Sequence, residues 1–214
     1  MKFHGYFRSS SSYRLRIAFN LKGLDYQFVP VHLIRDGGQQ KTEAYKALNP
    51  QGLVPTLEVG ETVLTQSPAI LEWLDETYPE PALLPSDPTE KAHVRAFAQV
   101  IGCEIHPLQN LRVLSYLREN YDQDQSGIEA WCQRWIGDGL AACEALLERH
   151  NNEAPFCFGE TPGLADIYLI PQVFSATRFK VDLSGLPNVN RIAAHCENLP
   201  AFAEAHPTKQ PDFE

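Results

Sequence analysis

Tyr6–Phe19 reads Y-F-R-S-S-S-S-Y-R-L-R-I-A-F. Four consecutive serines separate a short apolar start from a run with helical spacing. Leu15, Ala18 and Phe19 stand at i, i+3 and i+4 on one helix face. The next position on that face is Lys22, so Leu21 is expected to widen the apolar stripe, and Gly23 to stop the helix. Ser11 or Ser12 is suited to the N-cap, because its hydroxyl accepts from an unpaired backbone N–H. A strand, a hydroxyl-rich loop and a helix N-terminus follow one another. Unpaired N–H groups and the helix dipole favour an anion at such a place. The plain alternative is a polar turn without chemistry.

Outward from this stretch, Lys2–Tyr6 reads as a first strand and Tyr26–Leu33 as a second, with Pro30 suiting a sheet edge or an irregular strand. A strand–helix–strand crossover implies parallel neighbours. Ile34–Gln40 is a glycine loop, and Lys41–Leu48 is a short helix closed by Asn49-Pro50. Thr56–Val59 and Thr62–Leu64 flank Gly60 as a hairpin. Pro68–Tyr78 has helical spacing at Ile70, Trp73, Leu74 and Tyr78. The order β-α-β-α-β-β-α is a thioredoxin-like layout, without C-x-x-C chemistry because no cysteine precedes Cys103.

Pro79–Pro88 is too rich in proline to continue a helix. We therefore expect an α/β domain over residues 1–80, a linker over 81–88 and an all-helical domain over 89–214. Within the last, Glu90–Glu119 places Val94, Phe97, Ile101, Ile105 and Leu108 on one face and is interrupted by Pro107. Ser126 with Glu129 forms a capping box before the next helix. The charged stretches Arg118–Asp124 and Arg149–Glu153 read as solvated loops.

A chain of 214 residues can bury a sizeable core. Its net charge of −9 argues against binding nucleic acid or an anionic membrane, and obliges an acidic ligand to find a local Arg or His cluster. The five cysteines have no C-x-x-C spacing and read as buried reduced thiols, with no metal centre expected. No segment approaches a membrane span and no signal-peptide pattern opens the chain, so a soluble cytoplasmic protein is expected.

The run S-S-S-S-Y-R-L-R-I-A resembles the signature of zeta-class glutathione transferases, the family of maleylacetoacetate and maleylpyruvate isomerases. The resemblance extends over nearly the whole chain. It aligns Ser9 with the family's catalytic serine and puts Arg14, Arg16, Ile17 and Ala18 in register. Ser11 departs from the common cysteine, so cysteine chemistry is excluded at that position. The resemblance implies the glutathione transferase fold, glutathione as cofactor, and a homodimer. It also implies a cis proline after Val54, and a Gln66-Ser67 pair that holds the γ-glutamyl end of glutathione at a helix start. Gln40 and the backbone of Val54 complete the expected glutathione contacts with Ser9 and Ser11. Thr161–Phe179 resembles the family's buried helix, with Asp166 in place but Gly163 where a capping hydroxyl is usual; Thr161 is the possible substitute.

A free thiol such as that of glutathione titrates near 8.5, so its thiolate needs stabilising at neutral pH. Ser9, Ser10 and the N–H groups at Ser11–Ser12 are the expected catalytic donors, and Tyr6 is the rival hydroxyl. The implied reaction is cis–trans isomerisation of a small dicarboxylate-type acid. Arg8, His106, Asn110, Arg112 and Arg178 are the expected substrate contacts, Pro107 bending its helix where a cleft between the domains is expected. The His106–Arg112 pair resembles maleylpyruvate isomerases more than typical maleylacetoacetate isomerases, which implies a modest preference for maleylpyruvate. A conjugating transferase or dehalogenase of small α-halo acids would use the same residues. A non-catalytic dimerisation module would let the serine loop, Gln66-Ser67 and Arg178 decay, and all are present.

Overall fold

The computed structural model describes residues 1–150 and 153–214; the middle of the expected Arg149–Glu153 loop lies outside them. The chain divides into two compact units, Met1–Ala82 with Leu199–Glu214, and Leu83–Asn198.

In the first unit a four-stranded sheet has the order β2-β1-β3-β4. Its strands are β1 (Lys2–Gly5), β2 (Gln27–Pro30), β3 (Thr56–Val59) and β4 (Thr62–Thr65). β1 runs parallel to β2 and antiparallel to β3, as a crossover through helix α1 (Ser10–Leu21) requires. β2 is one of the two edge strands and ends at Pro30, short of the expected Leu33. The β3–β4 hairpin turns at Gly60, whose φ of 59° lies in the left-handed region that glycine enters without steric cost. On the sheet, Phe3 is wholly buried with its ring 5.6, 5.3 and 5.6 Å from those of Phe19, Tyr26 and Phe28. Helices α2 (Glu43–Leu48) and α3 (Ser67–Thr77) complete the α/β part.

α1 is buried along Ser10–Phe19 on every face, which is more than its apolar stripe requires. Its other cover is the C-terminal segment: Phe202 of the single-turn α9 (Pro200–Ala203) is buried, Arg16 donates to the Ala205 carbonyl, and Phe7 N–H donates to Asp212. Residues 199–214 thus pack with the first unit, where the expected domain 89–214 had placed them with the helices.

Lys22 corrects the expectation that Leu21 takes over the apolar stripe. Leu21 is only half-buried, and the Lys22 side chain has no exposure. Its ammonium donates to Asp75 Oδ1 at 2.9 Å and to the carbonyls of Tyr78 and Pro81 at 2.6 and 2.8 Å. Three donors meet three acceptors, so the buried cation has its hydrogen bonds satisfied.

The second unit is helical: α4 (Pro88–Gln99), α5 (Leu111–Tyr121), α6 (Gln125–Arg149), α7 (Leu164–Arg178) and α8 (Pro187–Glu197). α4 runs into a π-helical stretch at Val100–Ile105, and the helix then breaks around Pro107 before restarting at Asn110. Val94, Phe97, Ile101 and Ile105 are buried as their spacing predicts. α6 begins a residue before Ser126. Its N-cap is Asp124, which accepts from Gly127 N–H, while Glu129 pairs with Lys180 and Gln125; the expected capping box is not formed.

At the start of α7, Asp166 accepts from the N–H groups of Gly163 and Cys157, both at 2.9 Å. Burial pushes its carboxyl above the usual range, and those two N–H donors oppose the shift. No side chain caps the helix from Gly163, and Thr161 does not take over that role. A Cβ at Gly163 would lie 2.9 Å from the Leu83 carbonyl, which accepts from Leu164 N–H. The close approach of that carbonyl explains the missing hydroxyl.

Replacing Lys22 by Met should lower stability by about 3 kcal/mol, because Asp75 loses the cation that compensates its burial. Urea unfolding measures the loss, and a change below about 1 kcal/mol would contradict the role given to Lys22.

Candidate functional site

Arg16 holds the turn between β1 and α1. Its guanidinium is wholly buried and donates to the carbonyls of Tyr6 at 3.4 Å, Phe7 at 2.9 Å and Ala205 at 2.8 Å. Burial lowers its pKa to about 10, opposed by Tyr26, Tyr13 and Asp212, so it remains a cation at neutral pH.

The turn it fixes ends at Ser9, which is the N-cap of α1. Ser9 Oγ accepts from Ser12 N–H at 3.2 Å. The expectation of Ser11 or Ser12 as cap is therefore corrected. Ser12 Oγ instead accepts from Tyr6 N–H at 3.3 Å, and Ser12 N–H is taken by Ser9 rather than facing a ligand. A hydroxyl carries one hydrogen and two acceptor lone pairs. Accepting from Ser12 orients the Ser9 oxygen and leaves its O–H to donate. Ser9 is half-buried, Ser10 and Ser11 are buried, and Tyr6 is buried edge-on against Phe7 and His32 at 4.6 and 5.0 Å.

A second helix start lies in the same unit. Gln66, with φ 71°, leads into α3, whose first residue is the buried Ser67. Arg14 Nη1 donates to Ser67 Oγ at 3.3 Å, so one side chain links the serine helix to this second helix N-terminus. Arg14 is 2% exposed and puts a cation behind a place where helix N–H groups already favour an anion. Gln66 Nε2 donates to Gln51 Oε1. The Val54-Pro55 bond is cis, and the loop before it is held by Tyr45 OH and Asn49 Nδ2, which donate to the Leu53 carbonyl at 2.8 and 2.7 Å. Gln40 is buried and donates to the Leu33 carbonyl at 3.2 Å, while its Oε1 has no hydrogen-bond partner.

Arg8, half-buried, follows the turn with its guanidinium 5.9 and 5.7 Å from the Tyr6 and Phe7 rings. The remaining expected substrate contacts belong to the second unit. His106 is half-buried and follows the π-helical stretch, its N–H donating to the Ile101 carbonyl. Asn110 caps α5, its Oδ1 accepting from Arg112 N–H at 3.1 Å. Arg112 is exposed. Arg178, also exposed, ends α7 with its guanidinium 4.5 Å over the Phe179 ring.

Four of the five cysteines are buried as expected, and Cys103 is exposed. Burial pushes Cys132 up to about 11 and Cys143 up to about 12, and raises Cys157 and Cys196 well above the usual range. These cysteines stay protonated at neutral pH and are poor nucleophiles. Sequence reasoning placed Arg14 and Arg16 in a motif without giving either a task. No local signal marks the task of either, because both lie off the apolar stripe of Leu15, Ala18 and Phe19 and are buried only by the cover that α1 receives on every face.

The glutathione S-transferase N-terminal domain family matches residues 8–77. A maleylacetoacetate isomerase of Pseudomonas aeruginosa is 52% identical over 99% of this chain and 98% of its own length. A solved holo structure of a maleylpyruvate isomerase, described as a bacterial glutathione S-transferase of the zeta class, superposes with a TM-score of 0.97 at 50% identity, covering 100% of both chains. A maleylacetoacetate isomerase from Methylobacterium extorquens AM1, solved with bound malonate and GSH, gives a TM-score of 0.95 at 38% identity, again over 100% of both chains. With a serine-capped first helix, a cis Val54-Pro55 and likeness of this extent, the chain belongs to the zeta-class glutathione transferases, the family of maleylacetoacetate and maleylpyruvate isomerases.

Proposed function

We propose that the chain is a glutathione-dependent cis–trans isomerase of a maleyl keto acid, with maleylpyruvate preferred over maleylacetoacetate. The observation that carries the reading is the Ser9 hydroxyl, oriented at the start of α1 by Ser12 N–H, on a turn fixed by Arg16. Relatives named for the two substrates stand at 52% and 50% identity, so the preference for maleylpyruvate rests on His106 and Arg112.

The residues present fit glutathione. Ser67 and the N-terminus of α3, with Arg14 behind them, suit the γ-glutamyl carboxylate, and Gln66 stands beside them. The backbone of Val54 is left to pair with the cysteinyl unit. The unpartnered Oε1 of buried Gln40 suits an N–H donor at the glycyl end. When bound, glutathione would supply a thiolate whose addition turns the cis double bond into a single bond free to rotate, and whose departure restores the double bond as trans.

Ser9 donates its O–H to that sulfur and holds its proton off at neutral pH. Each pKa unit of depression needs about 1.4 kcal/mol, the order of one charge-assisted hydrogen bond. Ser10 and Ser11 line the same helix start. Arg8, Arg112 and Arg178 offer planar donor forks to the carboxylates of the substrate, against the net charge of −9. His106 and Asn110 complete this set. The enzyme is read as a cytoplasmic homodimer, which light scattering of the purified chain checks.

Progress curves on maleylpyruvate and maleylacetoacetate should show isomerisation only with glutathione present. Turnover confined to α-halo acids would overturn the reading.

Ser9→Ala should cut turnover at neutral pH about tenfold or more and raise the pKa of bound glutathione, followed by thiolate absorbance. It also removes a helix cap, costing about 1 kcal/mol. Ser9→Gly, which costs a few tenths as a cap, should lose as much activity if the donor role is right. Tyr6→Phe should change little. Recovered activity in Ser9→Gly, or loss of the thiolate signal in Tyr6→Phe alone, would refute the role of Ser9.

Ser67→Ala and Arg14→Met should each raise the KM for glutathione more than they lower kcat. The double variant should fall short of the product of the two effects, because the side chains act through one hydrogen bond. Unchanged KM for glutathione in Ser67→Ala would remove this subsite.

A further inference from the structure

Away from the serine loop, Glu90 and His93 stand one turn apart near the start of α4, and His150 follows the last residue of α6. One ligand atom from each lies within 4.8 Å of the other two, the one such group of three His, Cys, Asp or Glu among the described residues. His93 Nδ1 and Glu90 Oε1 are 3.8 Å apart, too far for a hydrogen bond. That nitrogen is nonetheless shielded from solvent and has no hydrogen-bond partner. The rings of His93 and His150 lie 4.6 Å apart, and His150 backs onto Phe158 at 5.1 Å, itself set edge-on to the buried Phe97 at 5.7 Å. The two imidazoles thus lie together with their planes tilted by 55°, an aromatic wall behind His150 and a carboxylate near His93.

We propose that Glu90, His93 and His150 form a binding site for one divalent transition-metal ion of the zinc type. Two imidazoles and a carboxylate are nitrogen and oxygen ligands that suit zinc, and they disfavour the all-oxygen ions calcium and magnesium. Bonds of about 2.0–2.2 Å in tetrahedral geometry put ligand atoms about 3.3–3.6 Å apart. The three atoms must close from up to 4.8 Å, which rotation of the partly exposed Glu90 and His93 side chains permits. Water takes the fourth position. The site joins the N-terminal turns of α4 to the end of α6, and its role is structural: none of its ligands belongs to the residues assigned to glutathione or the acid substrate. It also departs from the sequence expectation of no metal centre. That expectation considered the cysteines, whereas the histidines come together only through the fold.

The test is calorimetric titration of the untagged, chelator-treated full chain with zinc chloride, without glutathione, which would itself bind zinc. One ion per chain should bind saturably and raise the melting temperature. His93→Gln and His150→Gln should each weaken binding by about tenfold or more. Glu90→Gln, at an exposed position where folding is not at stake, should weaken it in the same direction. Cys103→Ser, which removes the exposed thiol, should leave it unchanged. Zinc-edge absorption should report two imidazoles in the first coordination sphere. Absence of saturable binding, unchanged affinity in the His93→Gln/His150→Gln double variant, or loss of binding in Cys103→Ser would each overturn the proposal.

Discussion

A wholly buried guanidinium, that of Arg16, is the interaction on which the first unit depends. Taking a cation out of water is costly, and the cost is offset only where its donors are satisfied. Here the acceptors are main-chain carbonyls of Tyr6, Phe7 and Ala205, drawn from two segments far apart in sequence. The strand-to-helix turn therefore has one shape, and Ser9 is presented from a fixed backbone. The same helix uses the device twice more. Arg14 reaches Ser67 at the start of α3, and Lys22 collects Asp75 and two carbonyls near the end of α3. α1 is consequently tied by buried cations to elements on several sides rather than merely packed on them.

Much of this was legible in the sequence where the determinants are local. The hairpin at Gly60, the edge position of the strand that carries Pro30, the helix break around Pro107 and the stop at Gly23 follow from backbone chemistry that one or two residues decide, although that strand ends at Pro30 and not at the expected Leu33. The cap of α1 did not follow, because four consecutive serines are chemically equivalent as caps. The choice of Ser9 is made by Ser12, whose hydroxyl is taken by Tyr6. Gly163 is similar: its lack of a side chain makes sense only once Leu83, eighty positions earlier, is seen to pack against it. Lys22 read as a break in an apolar stripe since its three acceptors lie more than fifty residues away. Of the candidate site, Ser9 and Ser67 are proposed from sequence, while the arginine that joins α1 to Ser67 emerges only from the structure.

The distribution of charge also separates two kinds of sulfur and oxygen chemistry in one chain. Four cysteines are buried, which holds their protons on, with Asp166 adding to the effect at Cys157 and Cys196, while the hydroxyls of the serine loop sit at a helix start, where N–H groups favour negative charge. An overall acidic protein can in this way be locally receptive to anions. Arg14 is buried with its charge beside the Ser67 hydroxyl rather than spread over the surface.

The packing of residues 199–214 onto the first unit bears on the order in which the chain acquires its structure during synthesis. Proteins of several units usually complete them from the N-terminus as they are made. Here β1 and α1 precede the helical unit in sequence, but Phe202, Ala205 and Asp212 follow it, so Arg16 and Phe7 lack part of their lining until the whole of that unit has been made. The helical unit Leu83–Asn198 is continuous in sequence and has no such wait. On the ribosome, the unit begun first is therefore the one closed last.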